Sequence, residues 1–397
     1  MMTTLHSRIR SIDNVRGAVM VLMAIDHVRV FSGVPAGGPT PGIFFTRWIT
    51  HFCAPAFVFL AGTSAFLYGM KLSGPSTHSE SPRATSRGDR GALARYLVTR
   101  GLLLVLLELT IIRASWTFTV DYSEFILAGV IWMLGWCMVL LAALIWLPTR
   151  AIGTIGLIVI AFQSAFGLPE GVMPESWRWL WEFIYPVGAE VRLGQAGPSV
   201  AVLYTIVPWV GVMAAGYAFG SIMVREPAER DRLCLRIGVS ATLLFVAVAS
   251  LGVLLGSAPD DAPPALFRFL NQRKYPASQL FLLMTLGPTI ALLPLAERAR
   301  GWFADTLATF GRVPMFYYLL HIPVIHAIAL LVWFVRDGAI DAQRFASAPF
   351  VSIPEGQRWG LPLLYLVFAL VIAVLYFPCR WFADVKARRQ TGWLRYL

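Results

Sequence analysis

The chain has 397 residues, 57% of them hydrophobic and only 14% charged, with 14 Trp and 26 Phe and a mean hydropathy of +0.66. Soluble domains carry roughly a quarter charged residues, so composition excludes an ordinary soluble enzyme and predicts an all-α, polytopic integral membrane helical bundle. The net charge of +11 is dispersed over several loops without a compact binding module, which excludes nucleic acid as a partner.

A helix needs roughly 20 apolar residues to cross the hydrocarbon. On that length about ten spans are predicted, at 14–32, 46–70, 93–113, 124–147, 150–168, 200–223, 234–256, 278–296, 312–335 and 361–382. The whole chain, 1–397, reads as one integral domain. The first run is long, ends in charge and lacks a small-residue cleavage pattern, unlike a cleavable signal peptide. With the N-terminus inside, the inner segments hold most of the 33 Lys and Arg, so both termini are expected in the cytoplasm.

The first span carries charge where lipid would disfavour it. Asp26 and His27 stand side by side in "LMAIDHVRVF", near the end of the span. Arg16 lies 11 residues before His27, so the two share a face to within about 20°, separated by roughly 16 Å of rise. Asp13 lies near the same stripe, and a structural Asp13–Arg16 clamp is the plainer alternative. Ionisable groups inside a membrane usually face the bundle or a wet cavity. The next loop, "SGVPAGGPTPG", has no charge and seven Gly or Pro residues, which keeps the second span close by. There Arg47 and His51 stand at i, i+4 and share a face. Asp26, His27, Arg47 and His51 are therefore expected around one outward cavity. A His beside a carboxylate suits a general base, and an Arg suits a carboxylate or an oxyanion. Ion pairs that merely lock two helices are the alternative. Two His and one Asp make a poor metal set, and no metal is expected.

Farther along, "SGPSTHSESPRATSRGDRG" at 73–91 reads as a mobile cytoplasmic linker. Glu108, in the outer half of the third span, is a further candidate for the cavity; it and Arg113 stand about 140° apart on a regular helix, which argues against a direct pair. Residues 169–199 form a long outer loop whose "ESWRWLWEFIYP" suggests an interfacial amphipathic segment. "GYAFG", with Gly216 and Gly220, is a weak helix-packing signal. "NQRKYP" leads into the eighth span, and Lys274 and Tyr275 are candidates for the same cavity, with an interfacial anchor as the equal alternative. In the ninth span His321 and His326 are also about 140° apart. His326 lies higher toward the outside and is the favoured cavity residue. The C-terminal "VKARRQTGWLRYL" places basic residues beside aromatics, as at an inner leaflet. The four Cys match no zinc spacing and are expected as buried free thiols.

"RIRSIDNVRGAVMVLMAIDHVR", "RWITHFCAPAFVFLAGTSAF", "RYLVTRGLLLVLLE", "KYPASQLFLLMTLGP" and "GRVPMFYYLLHIPVIH" together resemble the bacterial membrane proteins grouped with the catalytic domain of heparan-α-glucosaminide N-acetyltransferase. The pattern R-S-x-D-x-x-R-G at Arg10, Ser11, Asp13, Arg16 and Gly17 is the most recognisable part. The resemblance implies transfer of acetyl from cytosolic acetyl-CoA to an amino sugar across the membrane. It also implies an essential His in the first luminal loop; residues 33–45 hold none here, and His27 and His51 stand nearest. The expected function is transfer of an acyl group from acetyl-CoA or another acyl-CoA to an extracytoplasmic glycan or amino sugar. The donor phosphates are expected near Arg10, Arg16, Arg95, Arg100 or Arg312, in the bacterial inner membrane. A homodimer is left open. A transporter of a small solute or a non-catalytic scaffold are the alternatives.

Overall fold

A computed structural model describes residues 9–38, 40–73, 87–167, 172, 174–185, 190–194, 197–257, 262–340, 353–389 and 392. Most of the predicted linker at 73–91 and of the C-terminal basic and aromatic segment lies outside them.

Helix α1, Arg10–Ser32, ends at Gly33, whose φ of 74° suits glycine and whose N–H closes the last turn on the Val30 carbonyl. Helix α2, Pro41–Trp48, opens on Thr40, whose Oγ1 accepts from the Ile43 N–H. A 3₁₀ turn over Ile49–Phe52 joins it to α3, Cys53–Leu72. Helix α4, Arg87–Leu107, continues through a π turn at Glu108–Ile112 into α5, Arg113–Thr117. Then come β1, Phe125–Ala128; α6, Val130–Leu144; and α7, Thr149–Ala161. The long connection holds α8, Glu175–Ile184, within the predicted amphipathic segment, then β2, Glu190–Arg192, and β3, Ser199–Val202. Helices α9, Trp209–Met223, and α10, Pro227–Leu255, follow. The last third comprises α11, Ala265–Leu270; α12, Gln279–Ala291; α13, Leu293–Arg298; α14, Trp302–Arg312; α15, Pro314–Asp337; and α16, Leu361–Arg388.

Every predicted span contains helix. Among the described residues, five stretches are long and apolar enough to cross a membrane: Pro41–Leu72, Pro227–Leu255, Gln279–Arg298, Pro314–Asp337 and Leu361–Arg388. Helices α6, α7 and α9 are apolar but shorter, while α1 and α4 carry the charge of Asp13, Arg16 and Arg100. Leu243, Leu244, Leu254 and Leu255 on α10 point outward, as a bilayer solvent requires and water would not.

The all-α expectation needs one correction. β1 pairs parallel with β3, Phe125 opposite Ser199, and β2 pairs antiparallel with β3, Val191 opposite Val200. These strands take the first residues of two predicted spans, 124–147 and 200–223. Hydropathy does not separate a four-residue apolar strand from the start of a buried helix. Gly129, in extended backbone, and Pro208 mark where each helix begins.

Helix α1 is central, packed against α3, α13, α14, α15 and α16. Its N-terminus is tied down: Glu297 accepts from the Ser11 N–H at 2.6 Å, Asn14 donates to the Ala296 carbonyl, and Arg10 pairs with Asp305. All four Cys are free and buried.

Candidate active site

The polar stripe of α1 runs from the wall of one cavity to a histidine pair. Near its N-terminus Arg16 donates to Ser64 Oγ on α3 at 2.7 Å and to the Gly311 carbonyl of α14 at 3.4 Å. Arg16 and Ser64 line a cavity of about 160 Å³ with Tyr96, Arg100, Met20, Ile131 and Tyr318. Its walls come from α1, α3, α4, α6 and α15, and they are mostly apolar. Arg100 donates to Tyr96 Oη at 2.7 Å, which holds its guanidinium at the same opening.

Farther along α1, His27 Nδ1 lies 2.7 Å from His321 Nε2. His321 Nδ1 lies 2.5 Å from the Tyr318 carbonyl, and Tyr318 lines the first cavity. A carbonyl oxygen only accepts, so His321 Nδ1 carries the hydrogen. In neutral His321, Nε2 is then an acceptor, and the hydrogen between the rings belongs to His27 Nδ1. His27 Nε2 is left with a free lone pair. The chain of contacts thus selects one tautomer and one ring orientation, the condition for a general base. His321 is fully buried. Trp116 meets His27 edge-on at 5.1 Å between ring centres and stacks on Phe31, closing the apolar side of the pair.

Asp26 faces elsewhere, as neighbours on a helix must. Its carboxylate accepts from Arg29 Nε at 3.0 Å and lies 3.9 Å from Arg47 Nε. The expectation that Asp26 orients His27 is therefore corrected: His321 holds that ring. Arg47 lines a second cavity of about 400 Å³ with His51, Trp48, Phe44, Lys274 and Tyr275. The structure thus brings Arg47, His51, Lys274 and Tyr275 together, with Asp26 behind Arg47. His27 and His51 do not share that opening, contrary to the single-cavity expectation. Lys274 is held in a bridge with Ala277, and its ammonium lies 5.8 Å from the Tyr204 ring centre and 5.2 Å from that of Tyr275. Burial pushes the Tyr275 hydroxyl up, but the Lys274 and Arg47 charges outweigh it and hold that hydroxyl below the ordinary phenol range.

Other expected site residues are placed elsewhere. Glu108 is buried, and its Oε2 accepts from the Ile131 and Trp132 N–H groups at 2.9 and 3.3 Å. It caps α6 and lines neither cavity. His326 is buried against Phe118, at 3.8 Å between ring centres, and Phe31, with Nδ1 3.1 Å from the Ser115 carbonyl, and lines neither cavity; His321, which also lines neither, is the histidine that meets His27. The π turn and Pro323 alter the regular-helix angles from which those placements were read. Arg10 is committed to Asp305, and Arg312 is exposed at the end of α14 outside the cavity wall. His321 was visible as a candidate and ranked below His326. Tyr204 and Trp116 carried no sequence signal beyond being aromatic. Among the described residues no three His, Cys, Asp or Glu side chains converge as a metal set.

A family model described as heparan-alpha-glucosaminide N-acetyltransferase, catalytic, matches residues 8–259. No curated protein matches the chain. The matched segment contains Arg16, His27, Arg47, His51 and Arg100, while Lys274 and His321 are brought in by the fold from beyond it. By that match over more than half its length, the chain belongs to the heparan-alpha-glucosaminide N-acetyltransferase catalytic family.

Proposed function

We propose that the protein is a membrane acyltransferase of about ten spans, with both termini cytoplasmic, in a bacterial inner membrane. An acyl-CoA, acetyl-CoA in the first instance, enters the Arg16–Arg100 cavity from the cytoplasm. The two guanidiniums meet its phosphates, and the pantetheine arm lies along the apolar wall toward Tyr318. The acceptor, a sugar or glycan hydroxyl or amine, enters through the second cavity. His27 Nε2 takes the acceptor proton as the oxygen or nitrogen attacks the thioester carbonyl. The carbon–sulfur bond breaks, and the departing CoA sulfur receives that proton from the imidazolium. His321 holds the ring throughout.

One observation carries this reading: a mainly apolar cavity lined by Arg16 and Arg100 stands on the same α1 stripe as His27, whose ring is held by His321. The test is purified protein in lipid nanodiscs with acetyl-labelled acetyl-CoA and amino-sugar acceptors. CoA thiol release and label on the acceptor are both measured. His27→Ala should lower turnover by roughly 10²–10⁴-fold, the usual worth of general acid–base catalysis, while donor binding and thermal stability survive. Solute uptake into vesicles without thioester cleavage would instead assign the chain to transport.

A further inference from the structure

The second cavity carries more positive charge than its described residues neutralise. Arg29, Arg47 and Lys274 all act electrostatically on Asp26, and among the described residues Asp26 is the one carboxylate ion-paired within this cluster. Arg29 holds the closer contact and spends its Nη1 on the Val34 carbonyl at 3.0 Å. Arg47 is left at 3.9 Å, with Nε and Nη1 donating to no group. His51, 6% exposed, has no partner for Nδ1, and Trp48 has none for Nε1. Lys274 is 7% exposed, with aromatic faces rather than a carboxylate beside its ammonium. A buried cation without a counter-charge is costly, by several kcal/mol after relaxation. An anion seated here would relieve that cost, and the opening suits one. Arg offers a planar fork for two oxygens, and Lys adds a point charge from another side. At about 400 Å³ the space is within the ordinary size of a small-molecule site, larger than a bare ion needs.

We propose that this cavity binds an anionic group of the acceptor, a carboxylate or a phosphate or sulfate ester, between Arg47 and Lys274. That the anion belongs to the acceptor rests on the acyl-transfer reading; that an anion binds does not. The acceptor's receiving hydroxyl or amine then points past Asp26 toward His27, while the anionic substituent stays at the cavity wall.

Binding is measured without donor, in phosphatidylcholine nanodiscs, by the thermal unfolding midpoint during titration. The probes are glucuronate, glucosamine 6-phosphate, glucosamine and inorganic phosphate, with a parallel set of discs containing phosphatidylglycerol. Glucuronate and glucosamine 6-phosphate should raise the midpoint saturably, and glucosamine should not. Lys274→Gln and Arg47→Gln should each weaken that response by roughly tenfold to a hundredfold, as expected for one charge-assisted hydrogen bond. Asp26→Asn removes the competing carboxylate and should tighten it, a gain that misfolding does not mimic. An equal response to glucosamine, an undiminished anion response in both cation variants, or a response to inorganic phosphate as strong as to the sugars would overturn the proposal. Loss of the sugar response in phosphatidylglycerol discs would assign the cations to a lipid headgroup and overturn it equally. Transfer to glucosamine with no anion response removes the anion site and leaves the transferase; saturable anion binding without thioester cleavage at any acceptor does the reverse.

Discussion

At the scale of single residues, the deciding contact is between two imidazoles 294 positions apart in the chain. His321 does not touch the reacting atoms in the proposed chemistry. It positions His27 by accepting from Nδ1, because its own Nδ1 is committed to the Tyr318 carbonyl. His321→Ala should therefore lower kcat by about tenfold to a hundredfold, the scale on which partners that only orient an imidazole act, with KM for acyl-CoA unchanged. His321→Gln should recover part of the loss, since its amide oxygen accepts from the same N–H. Steady-state kinetics on the two variants checks this, and equal kcat values for them would remove the orienting role. Arg16 has a double commitment. It bridges α1 to Ser64 and Gly311 and it faces the first cavity. Arg16→Lys keeps the charge and loses the planar fork. Donor affinity should fall about tenfold, one charge-assisted contact's worth, with a small drop in unfolding temperature. Unchanged donor affinity with a large drop in stability would make Arg16 a clamp alone. In the sequence Arg16 and His27 were legible as one helical stripe, because 11 residues nearly close three turns. His326 was favoured over His321, because which side of α15 faces α1 depends on packing.

At the scale of elements, two kinds of local chemistry shape the bundle. Helix crossings close on glycines. A side chain at Gly216 would strike the Phe59 carbonyl, and one at Gly62 the Met213 carbonyl, so α3 and α9 approach backbone to backbone. Thr63 Oγ1 adds a hydrogen bond across the crossing to the Gly216 carbonyl at 2.9 Å. Gly101 with Gly135, and Gly156 with Gly211, do the same for α4 with α6 and α7 with α9. This is the small-residue packing expected where lipid supplies no hydrophobic drive between helices. Gly216→Ala should destabilise by about 1–3 kcal/mol, the usual cost of overpacking, measured as thermal unfolding in detergent, with donor affinity retained. The second device is the Glu108 cap on α6, set at a π turn. Glu108→Gln keeps an accepting oxygen and should leave turnover and stability near wild type. Glu108→Ala should cost about 1 kcal/mol, as for other helix N-caps. A severe loss of turnover in a stable Glu108→Gln protein would mean that the carboxylate acts in the chemistry. "GYAFG" pointed to one of these crossings. Like that one, the other glycine crossings join separate helices, and which glycines meet is decided by packing. The Glu108 cap escaped notice because its partners lie 23 and 24 residues on, past a strand.

For the whole molecule, the proposed reaction requires that the two cavities open to opposite sides of the membrane. Gly301, exposed in the turn before α14 beside the Arg10–Asp305 end of α1, and Gly37, on the wall of the second cavity, mark the two ends. With the native thiols buried, Gly301→Cys should react with an impermeant maleimide only from the cytoplasmic side, and Gly37→Cys only from the outside. The reverse pattern would exchange the donor and acceptor cavities. Composition, run length and the charge on α1 were enough to establish a helical membrane-type chain and to locate helix in all ten predicted spans, because hydrophobicity and helical period are local properties of a segment. The stripe from Arg16 to His27 and the Arg47–His51 pair were legible for the same reason. Tertiary structure alone decided that His27 is held by His321 rather than Asp26, that His51 belongs with Lys274 in a separate opening, and that short apolar runs at 125–128 and 199–202 pair as strands. Those outcomes depend on which helix faces meet and how far each turn departs from the regular period. Such choices are made by packing between segments hundreds of residues apart, and no window along the chain contains them.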